Sequence, residues 1–190
     1  MTDPVLHLVA GPNGAGKTTL FQYVIAPETH LEWVNADEIA VGLPPDPGVA
    51  YLAAELAAQR RTALLDARAS FATETVFSHA SKVELVRTAV AAGYLVTLHV
   101  VLVPVELAVA RVENRVEHGG HAVPEEKIRG RYARLWAFVA EAVGEAHVTM
   151  VYDNAVAANP FRLIATFERG HLVGDAVWPD WTPEELRTLN

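Results

Sequence analysis

Val5-Leu-His-Leu-Val-Ala-Gly-Pro-Asn-Gly-Ala-Gly-Lys-Thr-Thr-Leu-Phe-Gln-Tyr-Val-Ile25 decides how this chain folds: an apolar run with β-branched residues, a glycine-rich turn, and a stretch with helical character, in that order. Residues 11–18 match the pattern G-x-x-x-x-G-K-[ST] without a mismatch. Gly11, Gly14 and Gly16 let the backbone adopt conformations denied to residues with a Cβ, so that successive N–H groups converge on phosphate oxygens while the helix N-terminus adds its partial positive charge. Gly11, Pro12, Asn13, Gly14, Ala15, Gly16, Lys17, Thr18 and Thr19 are therefore the expected ATP-binding residues, with Lys17 reaching the β- and γ-phosphates and the Thr18 hydroxyl ligating Mg²⁺.

A chain of 190 residues suits one well-filled core, so a single domain over 1–190 is expected. Apolar residues make up 51%, without an uninterrupted stretch near the length of a membrane span. The acidic, proline-containing start leads straight into the first strand, unlike a secretory signal, and the expected compartment is the ATP-containing cytoplasm. The lack of cysteine excludes disulfides and thiolate metal sites. A net charge of −8 argues against a nucleic-acid footprint, which needs a surplus of Lys and Arg. With only three lysines against twelve arginines, guanidinium forks are the main tool for holding phosphate.

Strand and helix signals alternate. Strands are expected at 31–35, 70–77, 94–103 and 149–152, besides the first, and helices at 49–69, 81–92, from Pro104 to about 118, and from about Pro124. Ser81-Lys-Val-Glu84 reads as a capping box, and Thr182-Pro-Glu-Glu185 as the cap of a terminal helix. The alternation implies an α/β fold with a mostly parallel sheet of about five strands covered by helices, and a site at the carboxyl ends of the strands. The tail over about 155–190 reads as less regular, with a hairpin around Gly170.

Asp37, just after the second strand, is placed to accept the proton of an attacking hydroxyl or to support a metal through water, the alternative being a plain N-cap. Glu74, flanked by Thr73 and Thr75 in a strand otherwise suited to burial, is a candidate for substrate hydroxyls, for Mg²⁺ through water, or for a structural ion pair. Arg111 and Arg115 are four residues apart, without an acidic residue three or four positions away. Arg131 and Arg134 repeat the absence of local acids, with Lys127 on the same stripe, whereas Arg129 has Glu125 and Glu126 in reach. Cations that repel one another on both sides of Gly119-Gly120 suggest a lid over about 111–135 that closes on a transferring phosphate. His118 and His121 lack a third ligand nearby and read as lid residues, with His121 a candidate phosphate donor.

The glycine loop, Val34-Asn-Ala-Asp-Glu-Ile39, Phe71-Ala-Thr-Glu-Thr75, Gly119-Gly-His-Ala-Val-Pro124, Ile128-Arg-Gly-Arg-Tyr132 and Tyr152-Asp-Asn154, taken in order, resemble the zeta toxin family, in particular its short stand-alone bacterial branch. The resemblance covers about residues 5–155. It implies a three-layer P-loop kinase fold with a helical lid, and ATP- and Mg²⁺-dependent transfer of the γ-phosphate to the 3′-hydroxyl of the amino sugar in UDP-N-acetylglucosamine. It also allows for an antitoxin partner. Because a related effector phosphorylates NAD, fold and phosphate machinery do not fix the acceptor, and NAD, another nucleotide or an antibiotic are alternatives, as is an NTP-dependent switch without an acceptor. By resemblance Lys17 and Thr18 take their usual roles, Asp37 matches the general base, and Glu74, with Thr75, the substrate site. Arg115 or Arg111 matches the first lid arginine. The second falls near His121, so Arg131 or Arg134 must substitute.

Overall fold

The computed structural model describes residues 3–117 and 123–190. The expected lid residues His118, Gly119, Gly120 and His121 therefore lie outside the described residues. The elements in chain order are β1 (Val5–Ala10), α1 (Lys17–Leu20), a π-helical turn (Phe21–Ile25), α2 (Ala26–Thr29), β2 (Glu32–Val34), α3 (Ala36–Val41), α4 (Val49–Asp66), β3 (Phe71–Thr75), α5 (Ser81–Ala91), β4 (Leu95–Leu102), α6 (Val105–Glu117), α7 (Glu125–Glu145), β5 (Val148–Asp153), β6 (Arg162–Glu168), β7 (His171–Leu172) and α8 (Glu184–Arg187).

The sheet has seven strands in the order β2-β3-β1-β4-β5-β6-β7. The first five run parallel, each return being made by a helical crossover, and the expected hairpin adds two antiparallel strands at one edge. β1 lies between β3 and β4, and is buried on both faces: Leu6, Leu8 and Ala10 enter one core cluster and Val9 the other. Two helical layers thus enclose a central sheet. The tail is more than an irregular appendage. β6 pairs with β5 along its length, Arg162 bonds the buried Asp153 at 3.0 Å across that pair, and Leu186 of α8 is fully buried against the main core.

Local capping departs from the sequence reading in two places. Ser81 is the first residue of α5, not its cap, because His79 Nδ1 accepts from the Ser81 N–H at 3.1 Å and also contacts its hydroxyl. A ring acceptor two residues upstream has replaced the expected Ser–Glu exchange. Pro183, whose ring presets the backbone, precedes α8, while the Thr182 hydroxyl is buried without a hydrogen-bond partner among the described residues.

On the face of the sheet toward α1, two imidazoles meet. His7 Nδ1 and His99 Nε2 are 2.9 Å apart, and His99 Nδ1 is 3.3 Å from the Tyr152 hydroxyl. One proton satisfies the contact between two neutral rings; charging one of them places a cation in a desolvating site, and charging both sets like charges together. Burial, and after it the neighbouring His7, pushes His99 down to about 3, and burial lowers His7 as well. The unfolded chain therefore binds more protons than the folded one between 6.5, the ordinary histidine value, and about 3. This contribution to stability is complete above the upper limit and is lost as pH falls, at up to about 1.4 kcal/mol per pH unit for each ring. We expect melting temperature to fall between about pH 6.5 and pH 5, and the fall to be visibly smaller in His99→Gln. Parallel melting curves across that interval for both proteins would show the ring to be irrelevant.

Candidate active site

The glycine loop leaves β1 at Ala10 and turns into α1 at Lys17, with Gly14 at φ 76° and Gly16 at φ 90°. Both are left-handed conformations that favour glycine. At Gly14 the requirement is doubled, since an added Cβ would lie 2.5 Å from the Ala108 carbonyl oxygen on α6. The loop is thus pressed against α6, and helical spacing then carries Arg111 and Arg115 along the same face toward the phosphate site.

A cleft of about 740 Å³ opens there. Asn13, Gly14, Gly16, Lys17, Thr18 and Thr19 of the expected ATP-binding set line it; Gly11, Pro12 and Ala15 instead pack behind the loop, with the Ala15 N–H bonded to the Pro12 carbonyl. Asp37, Glu74, Thr75, Arg111, Arg115, Lys127 and Arg131 join them. Arg134 is exposed and lies outside the lining, a turn further along α7 on the stripe that carries Lys127 and Arg131.

Lys17 is 7% exposed and donates from Nζ to the Pro12 carbonyl at 3.0 Å. Burial lowers its pKa. Glu74 and Asp37 raise it, and Arg115 and Arg131 lower it again, so four charges from α3, β3, α6 and α7 act on one ammonium. The Thr18 hydroxyl donates to Glu74 Oε2 at 2.7 Å. A hydroxyl beside a carboxylate, next to a cradle of backbone N–H groups, is a donor set that fits Mg²⁺ held between protein and triphosphate. Among the described residues there is no group of three or more His, Asp or Glu side chains able to hold a metal by itself.

Asp37 is not the N-cap of α3. Asn35 takes that role, its side chain accepting from the Asp37 N–H at 2.8 Å, which leaves the Asp37 carboxylate to the cleft. Thr75 lines the cleft while its hydroxyl accepts from the Phe77 N–H at 3.2 Å. Arg131 reaches the Asn13 side chain at 3.4 Å, and Arg111 donates to the Asn154 carbonyl at 3.0 Å. Arg129 pairs with Glu125 as its spacing requires, but its second partner is Glu106 on α6, bound through two nitrogens, in place of Glu126. That bidentate pair ties α7 to α6, a role invisible to local spacing.

The sequence reading missed several residues of this region. Asn154 donates to the Ala15 carbonyl at 2.8 Å, bracing the glycine loop from the end of β5. Arg61 and Lys82 also line the cleft. A usable signal existed for Arg61: Ala50, Ala54, Ala57 and Arg61 follow a helical spacing, and all four face the cleft.

A family model described as an AAA domain matches residues 6–135, more than half of the chain. The chain belongs to this AAA domain family. No curated protein sequence matches it significantly. Among solved structures, it is similar to the AvrRxo1-ORF1:-ORF2 complex, at 15% identity and TM-score 0.71, covering 90% of this chain and 60% of that one. It is similar to the PezAT chromosomal toxin-antitoxin system of the human pathogen Streptococcus pneumoniae, at 14% identity and TM-score 0.60, covering 80% and 69%. A sugar kinase from Janibacter sp. HTCC2649 matches at 24% identity and TM-score 0.53, covering 79% and 85%. These likenesses show a P-loop kinase-like fold, in agreement with the mostly parallel, helix-covered sheet. No helix among the described residues is long and apolar enough to cross a membrane.

The close approach of loop and helix yields a test. Gly14→Ala should lower both melting temperature and nucleotide affinity, since a left-handed alanine costs about 1–2 kcal/mol before the collision with Ala108 is counted. Gly144→Ala on α7, where an added Cβ meets nothing within 4 Å, should hold or raise melting temperature. Equal responses of the two variants in thermal denaturation would rule out the steric account.

Proposed function

We propose that this protein is an ATP-dependent kinase of a small molecule, transferring the γ-phosphate to an acceptor hydroxyl, with a nucleotide sugar such as UDP-N-acetylglucosamine as the first acceptor to test. The observation that carries this reading is that buried Lys17, the Asp37 carboxylate and the Arg115 and Arg131 cations line one cleft. A binding loop alone has no use for a carboxylate facing arginines across its phosphates. The similarity to kinase folds and the motif resemblance to zeta toxins support the same reading, and the similarity to complexes of paired toxin-antitoxin or ORF products makes an antitoxin partner a reasonable proposal.

In the mechanism proposed, the acceptor oxygen attacks the γ-phosphorus while the bond from that phosphorus to the β–γ bridging oxygen breaks, and Asp37 takes the proton of the attacking hydroxyl. Lys17 bonds the β- and γ-phosphate oxygens, so the charge left on ADP stays beside an ammonium. Arg115 and Arg131 lie over the phosphoryl group in flight and bond its equatorial oxygens. Thr18 and Glu74 would hold Mg²⁺, and the metal would supply positive charge to the β- and γ-phosphates.

Two measurements test this. With ATP and a metabolite pool, mass spectrometry should find a product about 80 Da heavier than its precursor, the mass added by phosphoryl transfer, and Asp37→Asn should lower its rate by about 10²-fold or more with little change in ATP affinity. ADP release without any such product would overturn the kinase reading.

The lid arginines separate from their neighbour on the same helix. Arg131→Ala should lower turnover by about 10-fold or more, while Arg134→Ala, exposed and outside the cleft, should leave it within about 2-fold. Similar small losses at both positions, measured side by side, would remove Arg131 from the transferring phosphate.

A further inference from the structure

Among the described residues, seven cationic side chains line the main cleft against two carboxylates, Asp37 and Glu74, in a chain whose net charge is −8. All three lysines of the protein are among them. Five of these cations fall into two groups: Arg115 and Arg131 act on Lys17 at the glycine loop, whereas Arg61 on α4 acts on Lys82 on α5.

Arg61 and Lys82 have no ion-pair partner among the described residues. Arg61 makes a single long contact, 3.5 Å to the Thr73 hydroxyl, which is itself committed to the Val34 carbonyl at 2.7 Å. Both side chains are half-buried. Burial holds each below its ordinary pKa, and in Lys82 repulsion by Arg61 adds to the effect. Two desolvated like charges from different helices weaken the fold unless an anion comes between them. The same two residues also line a second cavity of about 260 Å³ between α4 and α5, with Leu65 and Leu85 on its wall. They therefore stand where the transfer cleft meets a side groove.

We propose that Arg61 and Lys82 bind a phosphate or diphosphate group of the acceptor, so that the acceptor is a phosphorylated metabolite whose far end extends into the groove between α4 and α5. This inference rests on the kinase reading and narrows its substrate class: a neutral sugar would leave both cations without a counter-charge. Phosphate suits the pair better than a single carboxylate, because its three terminal oxygens accept from donors that approach from separate helices.

The probe is inorganic pyrophosphate, added with magnesium in excess to protein already saturated with a non-hydrolysable ATP analogue, so that the glycine loop is filled. Calorimetry should detect pyrophosphate binding to the wild type. Arg61→Met and Lys82→Met should each weaken it by about 10-fold or more, as expected for loss of one charge-assisted contact, with analogue affinity unchanged. Both variants should melt at or above the wild-type temperature, since methionine keeps the apolar stem and removes a repelling charge. Wild-type protein that binds the analogue but not pyrophosphate, or variants that bind pyrophosphate as tightly as wild type, would overturn this inference and leave the kinase reading standing. A fall of several degrees in both variants would also overturn it, by making the pair structural. Failure of the wild type to bind the analogue would instead strike the kinase reading itself.

Discussion

A desolvated ammonium is the constraint around which this molecule is arranged. Lys17 sits at the start of α1 with its Nζ bonded to the Pro12 carbonyl, and an uncompensated buried cation is strongly unfavourable. Burial lowers its pKa; Glu74 and Asp37 oppose that effect, and Arg115 and Arg131 add to it. Three cations there face two carboxylates, which leaves the site short of negative charge. An incoming polyphosphate would supply negative charge beside Lys17, Arg115 and Arg131.

That geometry descends from strand order. Because β1 is flanked by β3 and β4, the glycine loop emerges beside the end of β3, where Glu74 meets Thr18, and below α6, whose Ala108 is pressed against Gly14. β2 pairs with β3 on the other side, and Asn35, just after β2, caps α3 and so releases Asp37 to the cleft. The arginines are positioned by helices that brace one another: Arg129 joins α7 to Glu106 of α6, and Arg111 and Asn154 tie α6 and the end of β5 to the loop. Each contact is modest alone. Together they hold groups from six segments around one point, which a catalytic role requires to within a fraction of an ångström.

The cleft is also asymmetric in its chemistry. One end carries the glycine loop and the arginines that act on Lys17. The other carries Arg61 and Lys82 with the alanine face of α4, where Ala50, Ala54 and Ala57 leave room that larger side chains would fill. A proposed phosphorylated acceptor would thus meet small residues beside the cations that take its anionic part. The buried His7–His99 contact lies elsewhere, within the sheet, and bears on stability rather than on phosphate.

The strand–loop–helix at the start of the chain was legible because a phosphate cradle demands glycine at particular positions and a lysine and hydroxyl at fixed offsets, so local sequence determines it. The alternation of strands and helices was legible for a similar reason: burial patterns with a period near two or near 3.6 are properties of short segments. Asp37, Glu74, Arg115 and Arg131 could be named as candidates from residue type and from the absence of local charge partners. What joins them could not. Arg131 rather than Arg134 faces the cleft, Glu106 rather than Glu126 holds Arg129, and Arg61 and Lys82 from two helices line the same two cavities. Those choices depend on how elements far apart in sequence pack, and the energy that selects them belongs to the shared core, not to any segment that a local reading can see.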